Sequence, residues 1–361
     1  RNYFKIIVLS FMKKYTLYFA LIILFSYSFC IAQTKQDTLP KIENPENSYY
    51  KSVLNYINLK FDLESNNERF ELEGDDFNYD IRPNVSTISK LSVNYLFLSF
   101  SYSYIPKFFP GNNDDDLKGK TKGNSFGLNL NFNHWVQELK YGKVKGFYLE
   151  NSEDYENPWI EGTTPYIQFP DLKVTSFSGS TSYKFNSNFS LKAISTQTEI
   201  QLKSAGSFIP GLVYSYYIID NQSNSSTQST TQKSENLEVL AKISYFYTFV
   251  INKSWYAALG ASTSIGFNYT DLLTRFPEDY VHTNYTSDVY RIRGVGGMGY
   301  NSERFFAGLE ISAYRSFKTD NSPTIQLITT YNAFQVFVGY RFNAPKKVQE
   351  LAMKAQSKIP L

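Results

Sequence analysis

Residues 96–104 read LFLSFSYSY and residues 255–268 read WYAALGASTSIGFN. In the first stretch Leu96, Leu98, Phe100, Tyr102 and Tyr104 share one face, opposite Ser99, Ser101 and Ser103. Alternation with period two marks an extended strand, because successive side chains leave a pleated backbone on opposite sides. In the second stretch the smaller face is Ala258, Gly260, Ser262, Ser264 and Gly266. Phe126–Asn133 sets Phe126, Leu128, Leu130 and Phe132 against Gly127, Asn129, Asn131 and Asn133, and Phe177–Phe185 carries Ser178, Ser180, Ser182 and Lys184 on its polar side. A soluble β-sandwich also alternates, but its outward positions carry Lys, Glu and Thr and its core positions vary in size. Here one face is a uniform Leu/Phe/Tyr band and the other is small and polar. That is the lipid-out, lumen-in pattern of a transmembrane barrel.

Composition points the same way. The 361 residues include 30 Tyr and 30 Phe, yet mean hydropathy is −0.35. A helical membrane protein is strongly apolar, and soluble enzymes seldom carry so many aromatics. A barrel with a polar interior and aromatic girdles at both interfaces satisfies both numbers. The net charge of +3 is too small and too dispersed for a nucleic-acid partner, and two His and one Cys leave few ligands for metal or thiol chemistry.

The connections alternate between short and long. Short turns are expected at Asn94-Tyr95, His134-Trp135, Asn186–Asn188, Asn252-Lys253 and Asn301–Glu303. Long polar stretches lie at Glu64–Pro83, Pro106–Thr121, Glu150–Leu172, Asp220–Asn236 and Tyr269–Ser287, with a shorter one near Phe317–Pro323. Membrane barrels have tight periplasmic turns and long external loops, so the reading is an all-β, antiparallel up-and-down barrel of about twelve strands over residues 52–342. An even count puts both termini in the periplasm. Phe189–Ile219 is too long for one strand and is interrupted at 203–207 (KSAGS), which implies a bulge or a piece folded into the lumen. Apolar parity flips at Asn332-Ala333, which implies either a turn making an extra strand or a bulge in one last strand; the bulge is preferred because it keeps the count even.

Residues 1–32 read as upstream sequence and a signal peptide. Met12 with Lys13 and Lys14 makes a start and basic region, Tyr15–Phe29 is apolar, and Cys30-Ile31-Ala32 places small residues for cleavage after Ala32. A retained anchor and a lipidated Cys30 are the competing readings. The first needs a longer span, and Phe29 is too bulky beside a lipid-attachment cysteine. Residues 33–51 are then a periplasmic segment. At the other end Val338, Gly339, Tyr340 and Phe342 form an aromatic final strand resembling the signal read by the barrel assembly machinery. Residues 343–361 follow as a periplasmic tail, helical after Pro345.

Several segments resemble a family of bacterial outer-membrane proteins known as domain of unknown function 4421. They are Ile81-Arg82-Pro83-Asn84, Lys145-Gly146-Phe147-Tyr148, the KSAGS stretch at 203–207 and the GYRFNAPK stretch at 339–346. The resemblance implies an outer-membrane barrel and no established activity.

Candidate chemistry is sparse. His134 reads as an interface residue in a periplasmic turn. His282 lies in an external loop near Asp279 and Asp288, the right end for a hydrolase, but one His among loop carboxylates is common by chance. Asp114, Asp115 and Asp116 could take a divalent cation, though a solvated turn explains them as well. Ser48-Tyr49-Tyr50-Lys51 matches S-x-x-K without its companion motifs. The richest surface is the expected lumen, carrying Lys60, Asp62, Lys184, Glu238, Lys242, Arg291, Arg293, Glu310 and Arg341. These charges either pair and close the lumen or line a narrow, anion-favouring pore. The expectation is a non-enzymatic, cofactor-free permeation barrel, with a closed partner-binding barrel and a rim hydrolase as alternatives. Its partners are outer-membrane lipid and lipopolysaccharide, the assembly machinery, and an envelope protein.

Overall fold

The computed structural model describes residues 48–53, 55–74, 77–223, 230–320 and 325–356. The signal peptide and most of segment 33–51 lie outside these residues, as does the tip of the polar loop after Asp220. Twelve antiparallel strands close on themselves. They are β2 (Tyr56–Gly74), β4 (Thr87–Tyr95), β5 (Leu98–Tyr104), β6 (Lys122–Asn131), β7 (Trp135–Leu149), β8 (Gln168–Tyr183), β11 (Gly211–Asn221), β12 (Thr231–Val250), β13 (Trp255–Arg275), β14 (Tyr280–Asn301), β15 (Phe305–Asp320) and β16 (Ile325–Asn343). Each pairs with its neighbour in this order, and β16 returns to pair with β2 along its whole length. Among the described residues the short pieces are β1 (Tyr50–Ser52), β3 (Asn78–Arg82), β9 (Glu199–Gln201) and β10 (Ala205–Phe208), with helical turns α1 (Asp115–Lys118) and α2 (Lys192–Ser195). After Pro345, α3 (Lys346–Gln356) forms a separate unit.

The alternating sequence becomes alternating exposure. On β16, Phe334, Val336, Val338, Tyr340 and Phe342 are exposed, while Gln335, Phe337 and Arg341 between them are buried. On β2, Leu59 and Phe61 face out and Asn58, Lys60 and Asp62 face in. The outer band continues through Phe100, Phe126, Leu212, Ile243, Ile265 and Ile292. In water so continuous an apolar surface would drive association. In a bilayer it is the solvent-matched face, and a closed ring of strands leaves no backbone edge unpaired.

Two expectations need correction. Glu64–Pro83 and Tyr269–Ser287 are not long loops, because β2, β13 and β14 run through them as polar strands up to 22 residues long. Beyond the lipid an extended hairpin needs no apolar face, so the alternation that reveals a strand inside the membrane fades there. The parity flip at Asn332-Ala333 is neither a turn nor a bulge, since β16 keeps an unbroken register with both β15 and β2. The outward apolar run simply ends at Phe334, and Tyr331 turns inward to donate to Glu64 at 2.7 Å. Residues 50–52 form β1, which pairs with β9.

Small residues set two tight contacts. Gly339 lies under the fully buried Phe306 ring, where an added Cβ would come within 2.0 Å of the ring. Gly146 has φ +92° and would clash with the Lys120 carbonyl if it carried a Cβ. A register shift on β7 occurs there, between Lys145 and Phe147.

Candidate functional site: a plug seated across the seam

The stretch after β8 folds inward. Phe189, Ala205 and Ile209 form a buried cluster with Tyr49, Leu191, Ile194 and Phe246 packed against it. From there β10 turns back to pair with β12 and completes the wall below β11. The sequence reading of a piece folded into the lumen describes residues 189–203. The interruption at 203–207 is where the chain returns to the wall.

Besides this apolar cluster, polar groups fasten the plug to the wall. Asn58 of β2 donates to the carbonyls of Thr196 (3.2 Å) and Gln197 (2.7 Å). Asn301 of β14 donates to those of Ala193 (3.3 Å) and Glu199 (3.0 Å). Arg341 of β16, fully buried, donates to the carbonyls of Gln197 and Ser302 and, at 2.6 Å, to the Asn301 side chain. Its guanidinium also lies over the Phe306 ring at 4.8 Å, which offsets part of its desolvation. Gln197 takes φ +52°, so its carbonyl meets two donors from different strands. Within the plug Glu199 accepts from Ser190 and Lys192, and Gln201 donates to the carbonyls of Tyr49, Asn188 and Lys203.

Two of the charged residues named as lumen-facing contact the plug. Lys184 lies just beyond β8 and donates to the Phe189 carbonyl, and burial pushes its ammonium down to about 8. Arg341 is the seat's central donor. The others occupy the inward register in two groups. Asp62 accepts from Gln335 and meets Lys60 at 3.1 Å and Lys90 at 3.9 Å. Glu238 meets Arg291 at 2.8 Å and Lys318 at 3.6 Å. Lys318 of β15 also reaches Tyr217 of β11, a contact between strands that are not neighbours in the wall. Lys242 and Glu310 are half-buried, and Arg293 is exposed on the inward register beside them. Sequence reading missed Asn58, Asn301, Lys90 and Lys318, because a lone Asn or Lys on a polar face carries no periodic signal.

The remaining candidates disperse. His134 donates from Nδ1 to the Lys184 carbonyl (2.7 Å) and stacks on Tyr183. His282 is on β14 rather than in a loop, and its partner is Asp271 at 3.2 Å rather than Asp279 or Asp288. Both His282 and Asp271 lie on the outward register, away from the mouth. Asp114 precedes α1 and Asp115 and Asp116 open it; the Asp115 carboxylate is taken by Lys107 at 2.7 Å. Among the described residues no three His, Cys, Asp or Glu side chains converge on a point that would hold a metal ion. Val338, Tyr340 and Phe342 face outward on β16, with the last two rings 5.0 Å apart.

Closure of twelve strands around a polar interior, an apolar outer band and a plug built from the chain itself define an outer-membrane-type β-barrel. The chain belongs to the family described as Domain of unknown function (DUF4421), matched over residues 35–342. No curated protein sequence matches it. Solved structures similar to it include the outer membrane protease OmpT of Escherichia coli, at 11% identity, 80% of this chain, 97% of that one and a TM-score of 0.38. The translocator domain of the autotransporter NalP of Neisseria meningitidis gives 8%, 80%, 88% and 0.36. The Pseudomonas putida toluene transporter TodX gives 6%, 80%, 90% and 0.32. The barrel assignment rests on the strand closure, and nothing of the activity of these proteins is carried over.

Proposed function

We propose that the protein is a permeation barrel for small solutes, shut in this state by its plug, with the short-turn end and both termini in the periplasm. The observation that carries the reading is the seat itself. Asn58, Asn301 and Arg341 hold carbonyl groups, and such bonds exchange for water at a modest net cost of about 0.5–1.5 kcal/mol each, or about 1.5–3 where the donor is charged. Bonds of this kind release more readily than the apolar contacts around Phe189 that accompany them. With the plug displaced, Lys242, Arg291 and Arg293 leave a basic excess on the inner face that favours anions. The reading is non-enzymatic, with His282 and Asp271 paired on the outer face, away from the plug and the inward charges.

Planar-bilayer recording of the full chain and of a variant with residues 190–202 replaced by a short flexible linker tests this. Brief, rare openings in the first and a steady ohmic, anion-preferring conductance in the second are expected. A second reading, a closed partner-binding barrel, is favoured by Lys318 bridging to Tyr217. A silent plug-deleted barrel selects it.

A further inference from the structure

The outward register of β6, β7 and β8 carries a row of like charges. Lys122 is the Cα partner of Lys145, and Lys145 is the Cα partner of Lys173. Lys143 lies one outward position below. Like charges directly opposite each other destabilise a strand pair, so three lysines in one row favour a compensating partner. The chain supplies little. Asp171 meets Lys145 at 2.9 Å, and Asp220, the Cα partner of Lys173, is engaged by Arg275 at 2.9 Å. Lys122 and Lys143 are exposed.

The height of the row identifies what lies beside it. Trp135 starts β7 at the short-turn end, and Lys145 follows it by ten positions (135 to 145), the span of one tilted transmembrane strand. Directly below the lysines an aromatic row crosses the same wall: Tyr102, Phe126, Tyr141, Phe177 and Tyr216 are successive Cα partners. Lys143 is two residues and Lys145 four residues beyond Tyr141, about 7 and 13 Å along the strand. The ammonium groups therefore emerge where acyl chains give way to headgroups.

We propose that Lys122, Lys143, Lys145 and Lys173 bind the phosphates of a phosphorylated glycolipid in the outer leaflet, fixing one lipid against this wall. Apolar rows below take the acyl chains and the lysine row takes the phosphates. The inference goes beyond permeation and needs only that the long-loop end faces outward.

Native mass spectrometry of the full chain in detergent, with bis-phosphorylated lipid A as the probe, tests it. Retention of lipid A is expected to weaken about fivefold for each lysine removed, in Lys143→Gln, Lys173→Gln and the fourfold Gln variant. Retention should fall as salt rises, while Lys253→Gln, on a turn at the opposite end, changes nothing. Heat-shifted gel migration reports whether each variant is folded, and the single variants decide the matter if the fourfold one is not. Unchanged retention in the folded variants overturns the proposal. So does equal retention of lipid A stripped of phosphate, or displacement by inorganic phosphate, which would mark a free-anion site. Binding in detergent is independent of orientation, so protease access to the 150–167 loop in whole cells tests the outward placement separately.

Discussion

Replacing Arg341 by Met removes the charged donor at the centre of the plug seat while keeping much of its volume over Phe306. Of its three acceptors only the Gln197 carbonyl belongs to the plug, and Asn58 continues to donate to that oxygen. The loss specific to docking is therefore one charge-assisted bond, about 1.5–3 kcal/mol, or roughly a 10- to 150-fold shift toward the undocked state. Asn58→Ala removes two neutral bonds, at 3.2 and 2.7 Å, and should shift docking by about 1–3 kcal/mol. Hydrogen exchange measures this directly: amides of residues 193–201 should lose protection by those factors while amides of β13 and β14 keep theirs. Single-channel open probability should rise in parallel, and Arg341→Lys should fall between wild type and Met. If plug and wall amides lose protection equally, Arg341 holds the barrel rather than the plug and the reasoning fails. Unchanged protection everywhere fails it as well.

Lys184 gives a pH dependence whose sign follows from its burial. Its pKa is pushed down to about 8 from 10.5, so below pH 8 the seated state carries the full cost of a buried ammonium. Between pH 8 and 10.5 that state sheds its proton before the open one does, so seating strengthens as pH rises. Plug protection, corrected for intrinsic exchange, should increase across that window, and Lys184→Met should flatten the trend. Gly339→Val forces a side chain against Phe306 and should cost about 1–3 kcal/mol of barrel stability, read as a lower urea midpoint in lipid vesicles. Tyr340→Ser with Phe342→Ser changes two outward rings that touch lipid and each other. Assembly in cells should fall sharply while detergent-refolded barrels keep nearly the wild-type midpoint; an equally large stability loss would assign these rings to packing.

The barrel was legible because lipid imposes one chemistry on every second residue, as in LFLSFSYSY at 96–104. Legibility stops where that constraint stops. Above Phe334 on β16, and through Asn66–Gly74 on β2, no strict alternation survives, and strand and loop look alike in sequence even though Phe70 packs edge-on against the buried Phe147. The plug was visible only as a stretch too long for one strand, since Phe189–Gln201 has neither helical nor strand period. Its seat was invisible for another reason. Asn58, Asn301 and Arg341 are far apart in the chain, and only closure of the ring brings them around residues 193–199. Lys184 and Arg341 showed no sign in sequence that their acceptors would be backbone carbonyls.

Asn58 and Arg341 are Cα partners across the β2–β16 junction, the pairing that joins the first barrel strand to the last. Both donate to the same carbonyl, that of Gln197. That acceptor therefore acts as a staple over the joint, complete only once the two edges have met in this register. Ring closure and plug docking become coupled equilibria, each stabilising the other by the same free energy. A ring zipped one residue out of register would turn Asn58 and Arg341 to opposite faces and leave the plug without its latch. The barrel carries an internal check on its own final joint.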